Sequence, residues 1–164
     1  MIANRGEIAC RIIKTAKEMG IRSIAVYVDA DKDSLFVKQA DESIRLDDGG
    51  YLDGDQIINA AKMSGAQAIH PGYGFLSENA SFARKVKKEK LIWVGPSPNV
   101  ISVMGDKLKA KELAIKADVP TLPMTSKPNE AKKIGYPLLI KAAAGGGGKG
   151  CLLYTSDAAD DMQC

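Results

Sequence analysis

The sequence predicts an α/β fold built on a doubly wound parallel sheet, and three observations carry that expectation. Short apolar runs rich in β-branched residues alternate with helical patterns over the first two thirds of the 164 residues, as strands and crossover helices do. Polar and glycine-containing segments follow the strand runs, at the sheet edge where open α/β folds place their ligands. A run of four glycines, residues 145–148, follows a last apolar strand and is flanked by Lys141 and Lys149.

The elements follow in order. Residues 1–3 read as the end of a strand whose beginning is cut off, and the chain then turns through Asn4-Arg5-Gly6. A helix is predicted over 7–19, with Ile8, Ile12, Ile13, Ala16 and Met19 on one face, Glu7 at its positive end and Gly20 closing it. Residues 23–28 form the next strand, and the aspartates between Asp29 and Ser34 lead into a short helix. Those carboxylates fit helix capping and solvation, or a ribose contact at the strand end. A strand over 42–46, a polar loop over 47–54 and a helix over 55–63 precede the strand at 66–69.

That last strand delivers His70-Pro-Gly-Tyr-Gly-Phe-Leu-Ser-Glu-Asn79 to the carboxyl edge. His70, the only histidine, fits a hydrogen-bonded turn residue as well as a functional group. Tyr73 lies between two glycines and can present its hydroxyl. Ser77 fits the N-cap of a helix running to Lys88, with Glu78 serving the helix dipole. A strand over 91–94 ends at Gly95-Pro-Ser-Pro98, and helices up to 104 and over 108–116 flank Gly105-Asp-Lys107. An extended stretch over 119–123 precedes the last strand, 138–140. A domain boundary is expected between 96 and 105, and the second unit is too short to bury a core of its own.

Composition narrows the function. A hydrophobic content of 45% and a net charge of +3 describe an ordinary globular chain. The lysine-rich run at 84–90 reads as a solvated helix face rather than a nucleic-acid surface. Cys10, Cys151 and Cys164 have no metal-ligand spacing and suit a reducing compartment. No window is apolar enough to span a membrane and no secretory signal pattern is present, so a cytosolic protein is expected.

The glycine run is the strongest chemical signal. Consecutive glycines reach positive φ freely and let several backbone N–H groups approach an anion, while flanking lysines add positive charge. A flexible linker is the plain alternative. The incidental G-x-G-x-x-G match lacks a following helix, and Gly150 stands where a P-loop needs Ser or Thr. What remains is a loop between two strands that closes over phosphates as a flap.

Residues 70–79, taken in order with Ala3-Asn-Arg-Gly-Glu-Ile8, Met104-Gly-Asp-Lys107 and residues 141–150, resemble the N-terminal part of biotin carboxylase. The resemblance covers nearly all of residues 1–150. Its HPGYGFLSEN segment is specific to biotin-dependent carboxylases, whereas the lysine and glycine-loop motifs are shared across ATP-grasp ligases. It implies a Rossmann-like pre-ATP-grasp domain over 1–100, followed over 101–150 by the truncated start of an ATP-grasp domain with its glycine-rich flap. It implies ATP as cosubstrate, with Lys107 and Lys141 at its phosphates and Gly147 and Gly148 as flap contacts, and Mg2+ held by residues later in the family's chain. His70, Tyr73 and Glu78 fall on the biotin and bicarbonate side. The implied reaction carboxylates biotin on a carrier protein by way of carboxyphosphate, with a carboxyltransferase as partner, a homodimeric enzyme, and a cytoplasmic or, in a eukaryote, mitochondrial location.

The chain departs from the family in three places. The loop at 47–51 and the stretch at 124–130 are contracted, which loops tolerate. Residues 151–164, CLLYTSDAADDMQC, do not fit the pattern; they read as translated adapter sequence, a non-native tail expected to pack poorly and without a partner strand. The family's metal carboxylates, bicarbonate lysine, general base and biotin-facing arginine lie beyond this chain, so the fragment alone is expected to be inactive. A different ATP-grasp ligase, such as a carbamoyl-phosphate synthetase, and a non-catalytic nucleotide-binding module are the competing readings.

Overall fold

A computed structural model describes residues 1–47, 49–141 and 151–155. The chain divides into two compact units, Met1–Ser102 and Val103–Cys164.

The first unit is a five-membered parallel sheet. The leading segment, residues 1–3, bridges on both sides through Ile2, to Ala25 and to His70. Its Ile2 N donates to Ile24 O at 2.8 Å, and His70 N donates to Met1 O at 2.9 Å. Strand β1 (Ile24–Tyr27) pairs in parallel with β2 (Glu42–Arg45), and β3 (Ala68–Ile69) pairs in parallel with β4 (Ile92–Trp93). The spatial order is therefore β2, β1, leading segment, β3, β4.

Alternation along the strands sends side chains to opposite faces. Ile2 and Ala25 pack with Ala9, Ile13 and Phe36, under α1 (Gly6–Glu18) and α2 (Leu35–Gln39). Met1, Ala3, Ile24 and Val26 join the other core, with Ile57, Ala61, Phe82, Ala83 and Val86 from α3 (Gly54–Met63) and α4 (Ala80–Lys88). Helices cover both faces, which makes the sheet doubly wound. Phe36, Ile13, Ile57, Ile69, Val26 and Val86 are each under 2% exposed; burying a side chain of this kind contributes about 1.5–3 kcal/mol. The cores of the two faces thus hold the sheet edge rigid enough to carry a site.

Two sequence expectations are corrected here. Met19 does not complete the buried face of α1; it is 67% exposed, and the inward stripe is centred on Ala9 and Ile13. Ser77 is not the cap of α4. Asn79 is, its side chain accepting from Phe82 N at 3.0 Å, while Ser77 N donates to Gly74 O at 2.9 Å within a preceding turn.

The second unit contains α6 (Lys107–Lys116), α7 (Ala131–Ile134) and a hairpin of β5 (Leu138–Lys141) and β6 (Cys151–Tyr154), while α5 (Pro98–Met104) spans the division. A 3-10 turn, Pro128–Glu130, leads into α7 where a plain loop was expected. The expectation that the tail lacks a partner strand is also overturned: β6 pairs antiparallel with β5, Lys141 opposite Cys151 and Leu138 opposite Tyr154. Apolar Leu152 and Leu153 and aromatic Tyr154 suit a strand whatever their origin. No described residue from Val103 onward is buried.

Candidate functional site

Connections diverge at the leading segment, because β1 lies on one side of it and β3 on the other. In an open parallel sheet such a switch point leaves a crevice beyond the carboxyl ends of the strands. Two loops border it, residues 4–6 and residues 70–79.

Asn4 joins them. It is fully buried, and its Nδ2 donates to Pro71 O at 2.7 Å and to Tyr73 O at 2.9 Å, while its Oδ1 accepts from Arg5 N at 2.9 Å. Gly72 makes room for this amide. With φ at +67°, any Cβ at Gly72 would stand 2.7 Å from both Asn4 Nδ2 and Ile8 Cγ2, a clash that comes on top of the strained left-handed backbone.

The loop bends back on His70, whose Nδ1 accepts from Gly72 N at 3.0 Å. That bond requires Nδ1 to be unprotonated. Burial pushes the imidazole below its usual pKa, and the positive charges of Arg11 and the N-terminal amine act in the same direction. Tyr73 is 57% exposed, and its hydroxyl donates to the Glu7 carboxylate at the start of α1, which pushes the phenol upward. Glu78 is exposed, one residue ahead of the α4 cap. His70, Tyr73 and Glu78 thus lie on a single loop, and Tyr73 is bonded to Glu7.

A second group braces the same edge. Asp31 is 4% exposed in a turn after β1; Arg5 grips it with Nε to Oδ2 at 2.6 Å and a terminal nitrogen to Oδ1 at 2.5 Å, and the Tyr51 hydroxyl donates to Oδ2 at 2.6 Å. The bidentate contact to Arg5 holds the Asp31 carboxyl below the usual range, with Tyr51 assisting. Burial and the same carboxylate push the Tyr51 phenol upward. The Tyr51 ring stacks on Phe75, centroids 5.3 Å apart and planes 11° from parallel. Asp31 therefore neither caps a helix nor stands free for a ribose, and Asp29 is paired with Arg45 at 2.6 Å.

Asn4, Tyr51 and Phe75 were not singled out by sequence reasoning, and Asp31 was considered only for capping, solvation or a ribose contact. Asn4 and Arg5 lay within a quoted motif, yet nothing local gave Asn4 its partners 67 and 69 residues away.

In the second unit, Lys107 opens α6 behind Asp106, whose side chain caps the helix by accepting from Leu108 N at 3.0 Å and Lys109 N at 3.1 Å. Lys141 ends β5 and is exposed. Gly147 and Gly148, the expected flap contacts, lie outside the described residues, as does Lys149. Among the described residues no group of three or more His, Cys, Asp or Glu gathers to hold a metal, and no helix is long and apolar enough to cross a membrane.

A sequence model for the N-terminal domain of biotin carboxylase matches residues 1–101. The chain belongs to the biotin carboxylase family. A second model, the ATP binding domain of the carbamoyl-phosphate synthase L chain, matches residues 106–162. The alpha subunit of mitochondrial methylcrotonoyl-CoA carboxylase from Dictyostelium discoideum is 53% identical over 92% of this chain and 23% of its own length. The human mitochondrial propionyl-CoA carboxylase alpha chain is 47% identical over 96% of this chain, again 23% of its own length.

Solved biotin carboxylases superpose closely. The Campylobacter jejuni enzyme, determined as a beta-gamma-ATP complex, gives a TM-score of 0.89 at 45% identity, over 95% of this chain and 38% of that one. The biotin carboxylase domain dimer of Hydrogenobacter thermophilus 2-oxoglutarate carboxylase, with MgADP and bicarbonate, gives 0.87 at 44% identity, over 94% and 36%. The chain thus spans about a quarter of the curated carboxylase subunits it matches.

Proposed function

We propose that this chain supplies the N-terminal part of a biotin carboxylase, an enzyme that uses ATP to join bicarbonate to biotin on a carrier protein by way of carboxyphosphate. The observation that carries the reading is the loop over 70–79 at the sheet's switch point, tied by Asn4 to the loop over 4–6. It presents His70, Tyr73 and Glu78 together at the edge where ligands bind, the biotin and bicarbonate side in this reading. Residues 1–100 are the pre-ATP-grasp domain, and residues 101–150 begin the ATP-grasp domain.

The nucleotide site is proposed around Lys107, Lys141, Gly147 and Gly148. Because Lys141 stands opposite Cys151 in the hairpin register, residues 142–150 connect two paired strands, as a phosphate flap must. ATP supplies the phosphoryl group; the two ammonium groups offset phosphate charge and stabilise what develops during transfer. Magnesium belongs to the proposed reaction, and its ligands are proposed to lie further along the full enzyme. A carrier protein or domain, a carboxyltransferase and a second copy of the enzyme are the proposed partners. The compartment follows the host, cytoplasmic in a bacterium and mitochondrial in a eukaryote.

A chimera in which residues 1–150 replace the matching part of Campylobacter jejuni biotin carboxylase tests this. It should hydrolyse ATP in a bicarbonate- and biotin-dependent way. Each charge-assisted bond to phosphate contributes about 1.5–3 kcal/mol, so Lys107→Met or Lys141→Met should lower ATP affinity or turnover by roughly tenfold or more. A folded chimera without this activity, or one indifferent to both substitutions, would refute the assignment.

A further inference from the structure

Four chain segments meet above the sheet edge through one carboxylate and one aromatic pair. Arg5 leaves the leading segment, Asp31 follows β1, Tyr51 sits in the 3-10 turn Gly50–Leu52, and Phe75 lies in the loop after β3. We propose that Asp31 and Tyr51 are positioning residues for the loop over 70–79: Asp31, gripped by Arg5, fixes the Tyr51 ring, and that ring holds Phe75 and with it the placement of Tyr73. What the loop binds rests on the proposed function above; the clamp itself does not.

The case begins with Phe75. Its φ is +40°, and it is the one non-glycine residue of this loop in the left-handed region. A bulky aromatic residue there is strained, and such backbone persists only when its surroundings over-determine it. The residue is 42% exposed, so general burial does not hold it. The stack on Tyr51 does.

Tyr51 is held in turn. It is 8% exposed, and its hydroxyl donates to Asp31 Oδ2 at 2.6 Å. Asp31 accepts from Arg5 through both oxygens, and its Oδ2 also accepts from Tyr51, so the acceptor cannot rotate away without breaking a bidentate ion pair. The order of dependence is Arg5, Asp31, Tyr51, Phe75. On the loop's other flank, Asn4 fixes the carbonyls of Pro71 and Tyr73. Tyr73 and Gly74 are therefore held from both ends, with the Tyr73 hydroxyl aimed at Glu7.

Three variants of this chain separate positioning from bulk stability. Tyr51→Phe keeps the stack and loses the hydroxyl, Tyr51→Leu loses both, and Asp31→Asn keeps an acceptor and loses the charge. Amide exchange is read at Ser77 and Asn79, whose partners are Gly74 O and Leu76 O, against the amides of α3. The Tyr73 ring resonances are followed by tyrosine-labelled NMR. Tyr51→Phe should speed exchange in the loop about fivefold and Tyr51→Leu further, with α3 unchanged and the Tyr73 resonances moving toward averaged values. Asp31→Asn should fall between parent and Tyr51→Leu. Loop exchange equal to the parent's in Tyr51→Leu, or rising only in step with α3, would overturn the clamp.

In the carboxylase chimera, Tyr51→Leu should raise KM for biotin about fivefold while KM for ATP stays within about twofold. An unchanged biotin KM would overturn the positioning role. A parent chimera without biotin-dependent activity would instead remove the proposed function, leaving the exchange and NMR measurements to decide the clamp.

Discussion

At the residue scale, Gly72 and Asn4 form one device, in which the absence of a side chain at one position makes room for the amide at the other. Gly72→Ala meets both a left-handed φ and two contacts at 2.7 Å, and should cost roughly 2 kcal/mol or more, read as a lower urea midpoint. His70 adds a pH dependence whose sign follows from its lowered pKa. The unfolded chain takes up the imidazole proton near its usual pKa, while the folded one resists it, so the neutral form's advantage is complete above about pH 6.5 and is lost as pH falls below that. His70→Gln should flatten the stability profile just below pH 6.5 relative to the parent. Identical profiles in urea titrations across that window would show that the Gly72 N–H to Nδ1 bond does not matter to stability.

At the element scale, periodicity made most helices and strands legible, because 3.6-residue and two-residue patterns are local properties of the chain. The misses came where local signals tied. Ser77 and Asn79 are both good caps, and only the turn that bonds Ser77 N to Gly74 O and Asn79 N to Leu76 O decides between them. Asn79→Ala should therefore lower stability by about 1 kcal/mol and Ser77→Ala by only a few tenths, measured by thermal unfolding. Equal losses would return the cap to Ser77. The site was legible as a loop but not as a network: His70, Tyr73 and Glu78 stand out by position after a strand, whereas Asp31 and Tyr51 owe their roles to partners 20 or more residues away. For β6, an unfamiliar composition after Gly150 obscured a short apolar run that pairs with β5 all the same.

At the scale of the whole molecule, burial is unevenly shared. Among the described residues every fully buried side chain lies in Met1–Ser102 and none from Val103 onward is buried, and Leu122, Leu152 and Leu153 are 60% exposed or more. A two-stranded hairpin without a covering layer is marginal in water. The amides of β5 and β6 should therefore exchange at least about 100-fold faster than those of β1, and the two units should unfold separately. Trp93, the single tryptophan, is 8% exposed beside Phe82 in the first unit, so its fluorescence reports that unit alone. In a urea titration, exchange protection in β5 and β6 should be lost well before the Trp93 transition. Coincident loss of both would mean that the second unit draws its stability from the first, and the chain would then have to be treated as one cooperative body.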